Sequence, residues 1–390
     1  MTRRWELDAL RGLMLVLMTL THLPTRLSSP LGQPFGYVSA AEGFVLLSAY
    51  MAGMVYGHMA ASQGIDVMRR AFWRRALKVY ACHAATLLFL FTVIAAVGLR
   101  TDQPAVNDLI SYYLDRPLSA LLAGLLLIYK PPLLDILPLY ILFMLASPWV
   151  LAHGLRGGWR RVMGASLGLW VLAQFGLGQW LHDAAVRFAG LAVPFPETGA
   201  FGTFSWQFLW VLGLWMGASR SEPVPVPFAF PRWAVALAVV LALAGAVWRH
   251  AVGQAPFLSN ASLNLLFDKW QLAPLRLLDL FALMVVTLHF GPALARRMPR
   301  LRAVEALGAA SLPVFCMHLV IVLLVLAFFG ADPAARPAWL DALVVTCSFA
   351  VLYGVARLAG GLDHHQAAEK PSGRRQPMRA ADAGQAAPPP

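Results

Sequence analysis

Three ionisable residues fall within one apolar stretch, LDALRGLMLVLMTLTHLP at positions 7–24: Asp8, Arg11 and His22. A histidine ordinarily titrates near neutrality and can take or give a proton, an arginine can hold a phosphate or carboxylate, and an aspartate can orient either. Helical residues advance about 100° and rise about 1.5 Å each. The eleven steps from Arg11 to His22 therefore close on about three turns, placing both residues on one face about 16 Å apart. Asp8 lies one turn before Arg11, and Thr19 one turn before His22, on the same stripe. Taken singly, Arg11 reads as snorkelling to an interface and His22 as closing the outer end of a helix beside Pro24. Aligned on one face of a lipid-crossing helix, they favour a polar path through a bundle, because ionisable groups are costly in lipid and sit where they are used.

Two other stretches offer partners. In AAEGFVLLSAYMAGMVYG (40–57), Glu42 stands near the outer end, at a depth like that of His22, and Gly43, Ala49, Ala52, Gly53 and Gly57 permit close helix packing. A carboxylate at that depth can pair with the imidazole or simply face water. In RRAFWRRALKVYACH (69–83), five cations gather at the inner end of a span. Most of them fit the usual account of topology and anionic-lipid contact. Arg75 and Lys78, one turn apart, are expected to face the bundle beside Arg11, a grouping suited to phosphates.

The elements that must position these residues follow from composition. With 59% hydrophobic and 13% charged residues over 390 positions and a mean hydropathy of +0.64, the chain is not an ordinary soluble domain. It reads as an all-α, polytopic membrane protein. Apolar runs of bilayer-crossing length predict ten helices, at about 7–24, 39–57, 77–98, 134–152, 162–180, 205–219, 233–249, 272–290, 305–329 and 339–358. The net charge of +12 is concentrated in RRAFWRRALK (69–78), RGGWRR (156–161), SRSEPVPVPFAFPR (219–232) and RRMPRLR (296–302). That alternation sets these loops and both termini in the cytoplasm, facing anionic lipid rather than nucleic acid.

The apolar run at 118–129 ends at Lys130-Pro131-Pro132 and is too short to cross. If it crossed, the loops at 156–161 and 296–302 would face outward, so it is expected to be re-entrant or interfacial. The first helix lacks a small-residue cleavage site and is expected to be retained. Residues 1–358 form the membrane domain, and 359–390, rich in Pro, Ala and polar residues, read as a disordered cytoplasmic tail. Cys82, Cys316 and Cys347 lie in apolar runs without metal or redox spacing. No metal is expected.

With LDALRG followed by THLP, an arginine precedes a histidine by ten intervening residues. This resembles the signature of the acyltransferase-three membrane superfamily. FGYVSAAEGFVLLSAYMAGMVYG (35–57), WRRALKVYACH (73–83), LLDILPLYILFMLASPWVL (133–151), FSWQFLWVLGLWMG (204–217) and LGAASLPVFCMHLVIV (307–322) resemble its OpgC branch, the succinyltransferases of osmoregulated periplasmic glucans. The resemblance implies a protein of the bacterial inner membrane that moves an acyl group, succinyl or acetyl, from cytoplasmic acyl-coenzyme A to a hydroxyl of a periplasmic glucan or other carbohydrate.

It further implies that His22 is the catalytic base and Arg11 a partner of the donor's phosphates or carrier arm, with Glu42 and Asp135 in the site. The superfamily places two arginines at the start of the third span. Here Arg75 matches the first, and Lys78 stands at the second, keeping the charge without the bidentate fork. Asp8 or Glu42 is expected to orient His22, and His318 reads as a hydrogen-bonded packing residue. Direct transfer and a covalent acyl-enzyme both remain open, as does the acceptor. The rival class is a secondary transporter of an anionic or amphipathic solute, whose ion paths use the same residue types.

Overall fold

The computed structural model describes residues 4–220 and 229–369. All regular secondary structure among them is helical. Helix α1 (Trp5–His22) ends because Leu23 precedes Pro24 and turns extended, with φ −65° and ψ 123°. Helix α2 (Ala40–Gln63) begins with a capping box in which Ser39 and Glu42 satisfy each other's end of the first turn. Helix α3 (Ile65–Phe89) runs through a π-helical turn, Leu90–Ile94, into Ala95–Thr101. Then come α4 (Ile136–His153), α5 (Trp159–Gln174), α6 (Leu177–Ala189), α7 (Thr203–Ala218), α8 (Arg232–Val252), α9 (Pro274–Arg297), α10 (Arg302–Ala309), α11 (Ser311–Phe329) and α12 (Ala338–Glu369).

Seven helical segments among the described residues are long and apolar enough to cross a bilayer: α2, α3 with its continuation, α4 with α5, α8, α9, α11 and α12. Helix α1 carries Glu6, Asp8 and Arg11, and α5 and α7 have 16 residues each, so these three fall outside a simple length and composition rule. Helices α8 and α12 turn Trp233, Val247, Leu343 and Leu358 outward, as helices facing lipid do.

Two contacts set the interior. Helix α7 packs most extensively on α2; a Cβ on Gly53 would strike the Leu214 carbonyl, and one on Gly217 the Tyr50 carbonyl. The small residues of α2 thus allow backbone-to-backbone approach, matched by Gly213 and Gly217 of α7. Helix α1 meets α10 in the same way through Gly12 and Gly308. The chain just after α1 is tied to α12 by an ion pair of Arg26 with Asp341 at 3.2 Å, shared with Arg336 at 2.8 Å.

Several expected bounds shift for local reasons. The span expected at 305–329 is two helices, because Pro313 cannot donate to the carbonyl of Ala309 and the chain breaks at Ala310 (φ −99°, ψ 36°). The span expected at 162–180 stops at Gln174, where Gly176 turns left-handed with φ +89°. Residues 177–189 then form α6, which buries none of its residues. Helix α12 continues through Glu369, into the segment expected to be disordered; the rest of that segment, 370–390, lies outside the described residues, as does most of the loop at 219–232.

Within 118–129, the helix Pro117–Leu125 has nine residues. Its length is about 14 Å, half of a hydrocarbon core of about 30 Å. The chain then reverses through Leu127 and Leu133, both at positive φ. A single cysteine at position 160, in a background lacking the native three, is expected to label only from the cytoplasmic side. Labelling from outside would mean that 117–125 crosses.

Candidate functional site

The N-terminal half of α1 opens onto a cavity. Arg11 donates to Met51 Sδ at 3.2 Å and to Ser311 Oγ. The adjoining cavity is lined by Arg11, Ser48, Arg75, Tyr140, Ser311 and Phe315, among others. Two guanidinium groups lining one cavity suit a phosphate-bearing ligand. Asp8, one turn before Arg11, is buried beside Gly308 of α10.

Lys78 does not join this grouping. It is exposed and does not line the cavity; Val79 does. Four helical steps from Arg75 return to within about 40° of its direction, whereas three leave the side chain about 60° away. Arg11 and Arg75 thus line the cavity from two helices, and Lys78 stays at the surface.

At the C-terminal end of α1, His22 meets another histidine. His22 Nδ1 lies 3.1 Å from His318 Nε2, and His318 Nδ1 lies 2.7 Å from the carbonyl oxygen of Phe315. A carbonyl only accepts, so Nδ1 of His318 carries a proton and its Nε2, in the neutral ring, is an acceptor. His22 therefore donates from Nδ1, and its Nε2 keeps a lone pair. His318 is fully buried, whereas His22 remains partly exposed. Phe315, which anchors His318, also lines the cavity that holds Arg11, so His318 and Phe315 connect the two ends of the site.

The partners expected for His22 are engaged elsewhere. Glu42 accepts from Ser39 N at 3.0 Å, from Ser39 Oγ and from Arg276 Nε, and both Glu42 and Arg276 are buried. The first turn of α2 needs an acceptor for its free amides, and Glu42 supplies it. Asp8 sits about 21 Å further along the axis of α1. His318, expected from sequence to be packing, is the side chain whose ring nitrogen meets His22 Nδ1. Its signal was present: an ionisable group deep in the apolar run LPVFCMHLVIV is a functional candidate by default.

Asp135 stands directly before α4, buried, and accepts from Ala200 N at 3.3 Å, holding the segment before α7 against the bundle. Lys130 is buried close by, with its amide on the Glu197 carbonyl at 3.0 Å. Burial pulls the Lys130 ammonium below the ordinary lysine value, and Asp135 opposes that shift. Among the described residues no group of His, Cys, Asp and Glu is arranged to hold a metal ion.

A family model described as OpgC protein matches residues 3–363. No curated protein and no solved structure matches the chain.

Proposed function

Because this chain belongs to the OpgC protein family, we propose that it is a membrane-embedded acyltransferase acting on glucans, within the broader acyltransferase-three superfamily. The donor is cytoplasmic acyl-coenzyme A, with succinyl favoured over acetyl, and the acceptor is a hydroxyl of a periplasmic glucan. The observation that carries this reading is that one helix brings Arg11 to a cavity shared with Arg75 at one end and presents an unprotonated His22 Nε2 at the other.

Arg11 and Arg75 hold the donor's phosphates near the inner surface, and the pantetheine arm brings the thioester toward His22. His22 Nε2 takes the proton of the attacking sugar hydroxyl as its oxygen bonds to the thioester carbonyl carbon. Collapse of the tetrahedral adduct breaks the carbon–sulfur bond, and the imidazolium returns the proton to the leaving thiolate. Direct transfer of this kind needs no protein nucleophile. Glu42 and Asp135 act by holding the outer walls, Glu42 through Arg276 and Asp135 through Ala200.

The test is transfer by the full chain, purified in detergent, from acyl-coenzyme A to a neutral β-glucan, read by mass spectrometry beside donor binding. Arg75→Ala is expected to weaken donor binding by about 10-fold or more, the scale of a charge-assisted contact, in a salt-sensitive manner. Lys78→Ala should stay near the parent. Equal donor affinity in Arg75→Ala and the parent removes the cavity from the donor site. Solute uptake into proteoliposomes without any acyl transfer would favour a transporter.

A further inference from the structure

The segment 268–273, between α8 and α9, is clamped from two sides. The Trp270 carbonyl accepts from Gly202 N at 2.9 Å and from Trp206 Nε1 at 3.1 Å. The Gln271 carbonyl accepts from Gln174 Nε2 at 2.9 Å, its side chain from Ser205 Oγ at 3.0 Å, and the Leu272 carbonyl from Trp170 Nε1 at 3.0 Å. Donors from α5, α7 and the turn before α7 thus take up three successive residues of a connecting segment. Such anchoring is more than a surface loop requires, since its carbonyls are otherwise satisfied by water.

Lys269 directly precedes the three clamped residues. Its ammonium lies 4.8 Å from the ring centre of Trp270 and 5.8 Å from that of Phe201. Among the described residues no carboxylate comes within ion-pair distance of it. It is partly buried, within electrostatic reach of His22, Glu42, Asp135 and Arg276. Burial draws it below the ordinary lysine value, while Glu42 and Asp135 pull the other way. Arg276 adds a second unmet donor: its Nε is bound to Glu42, but its Nη2 is buried with no hydrogen-bond partner. Glu42 is engaged by Ser39 and Arg276 rather than by Lys269.

Two cationic groups with unmet donors, Lys269 and Arg276, thus lie in one electrostatic neighbourhood with the base at the C-terminal end of α1. A partly buried cation without a counter-ion is costly unless a ligand completes it. The donor's phosphates belong to the inner cavity and a glucan is neutral, so neither supplies the missing charge. A carboxylate at the far end of the acyl group does.

We propose that Lys269, assisted by Arg276 Nη2, receives a terminal carboxylate on the transferred acyl group and so selects acyl donors such as succinyl over neutral ones. This rests on acyl transfer at His22.

The experiment measures kcat/KM of the detergent-purified full chain with succinyl-coenzyme A and with acetyl-coenzyme A, on a neutral glucan acceptor, for the parent, Lys269→Met and Lys269→Arg. The parent should prefer succinyl. Lys269→Met should lower the succinyl-to-acetyl ratio by about 10–10²-fold, the scale of a charged hydrogen bond, and Lys269→Arg should recover much of the ratio by keeping the charge. A parent that prefers acetyl, or a Lys269→Met variant that loses both activities in proportion, overturns the proposal while leaving acyl transfer standing. A parent that transfers neither group overturns the underlying reading, and the proposal with it.

Discussion

His22→Ala should reduce acyl transfer by about 10²–10⁴-fold, the range that a positioned general base contributes, while acyl-coenzyme A still binds with nearly the parental dissociation constant. The two effects separate because the base and the donor clamp sit about 16 Å apart on α1. Removing the imidazole takes away the group that receives the hydroxyl proton and little donor contact. Arg11→Ala is the mirror case, since it removes a cation from the cavity shared with Arg75 and should mainly raise the donor's dissociation constant. Calorimetry of donor binding and a transfer assay on the same folded preparations distinguish them. Transfer at the parental rate by His22→Ala would end the assignment of α1 as the catalytic helix.

That pairing was legible in the sequence because it lies on one helix. Periodicity alone predicts Arg11 and His22 on a common face, and charge alternation among the loops is what predicts the orientation of that face in a bilayer. The short segment at 118–129 was legible for the same kind of reason, since its length and the Lys130-Pro131-Pro132 stop are local. What escaped depends on contacts between distant parts of the chain. Glu42 matched His22 in depth, but its charge is taken by Arg276, more than two hundred positions away. Lys78 matched the family's spacing, yet a difference of one helical position turned it out of the cavity that Arg75 and Val79 line. Lys269 gave no signal at all, because an isolated lysine in a connecting segment gains meaning only from the donors that fix its neighbours. The break at Ala310 was readable afterwards from Pro313, though the apolar run around it conceals it.

His318 is the largest of these omissions and the one most open to trial. As the acceptor for His22 Nδ1, it decides which nitrogen of His22 holds the lone pair, so it acts as a positioning residue without touching the donor. His318→Leu removes that acceptor, and the proton of His22 is free to move to Nε2, where the ring no longer serves as a base. Loss of a partner that fixes ring orientation typically costs about 10–10²-fold, and a wrong tautomer can cost more, about 10⁴-fold in serine proteases. The expected result for His318→Leu is therefore a fall in kcat of about 10²-fold or more, with donor KM little changed. His318→Gln tests whether this is chemistry or packing, because the amide oxygen can accept from His22 Nδ1 while the amide nitrogen donates to the Phe315 carbonyl, reproducing both hydrogen bonds. It should recover a large part of kcat. If Leu and Gln were equally impaired and both raised donor KM along with lowering kcat, His318 would be a packing residue, and the tautomer of His22 would have to be set by something else in the bundle.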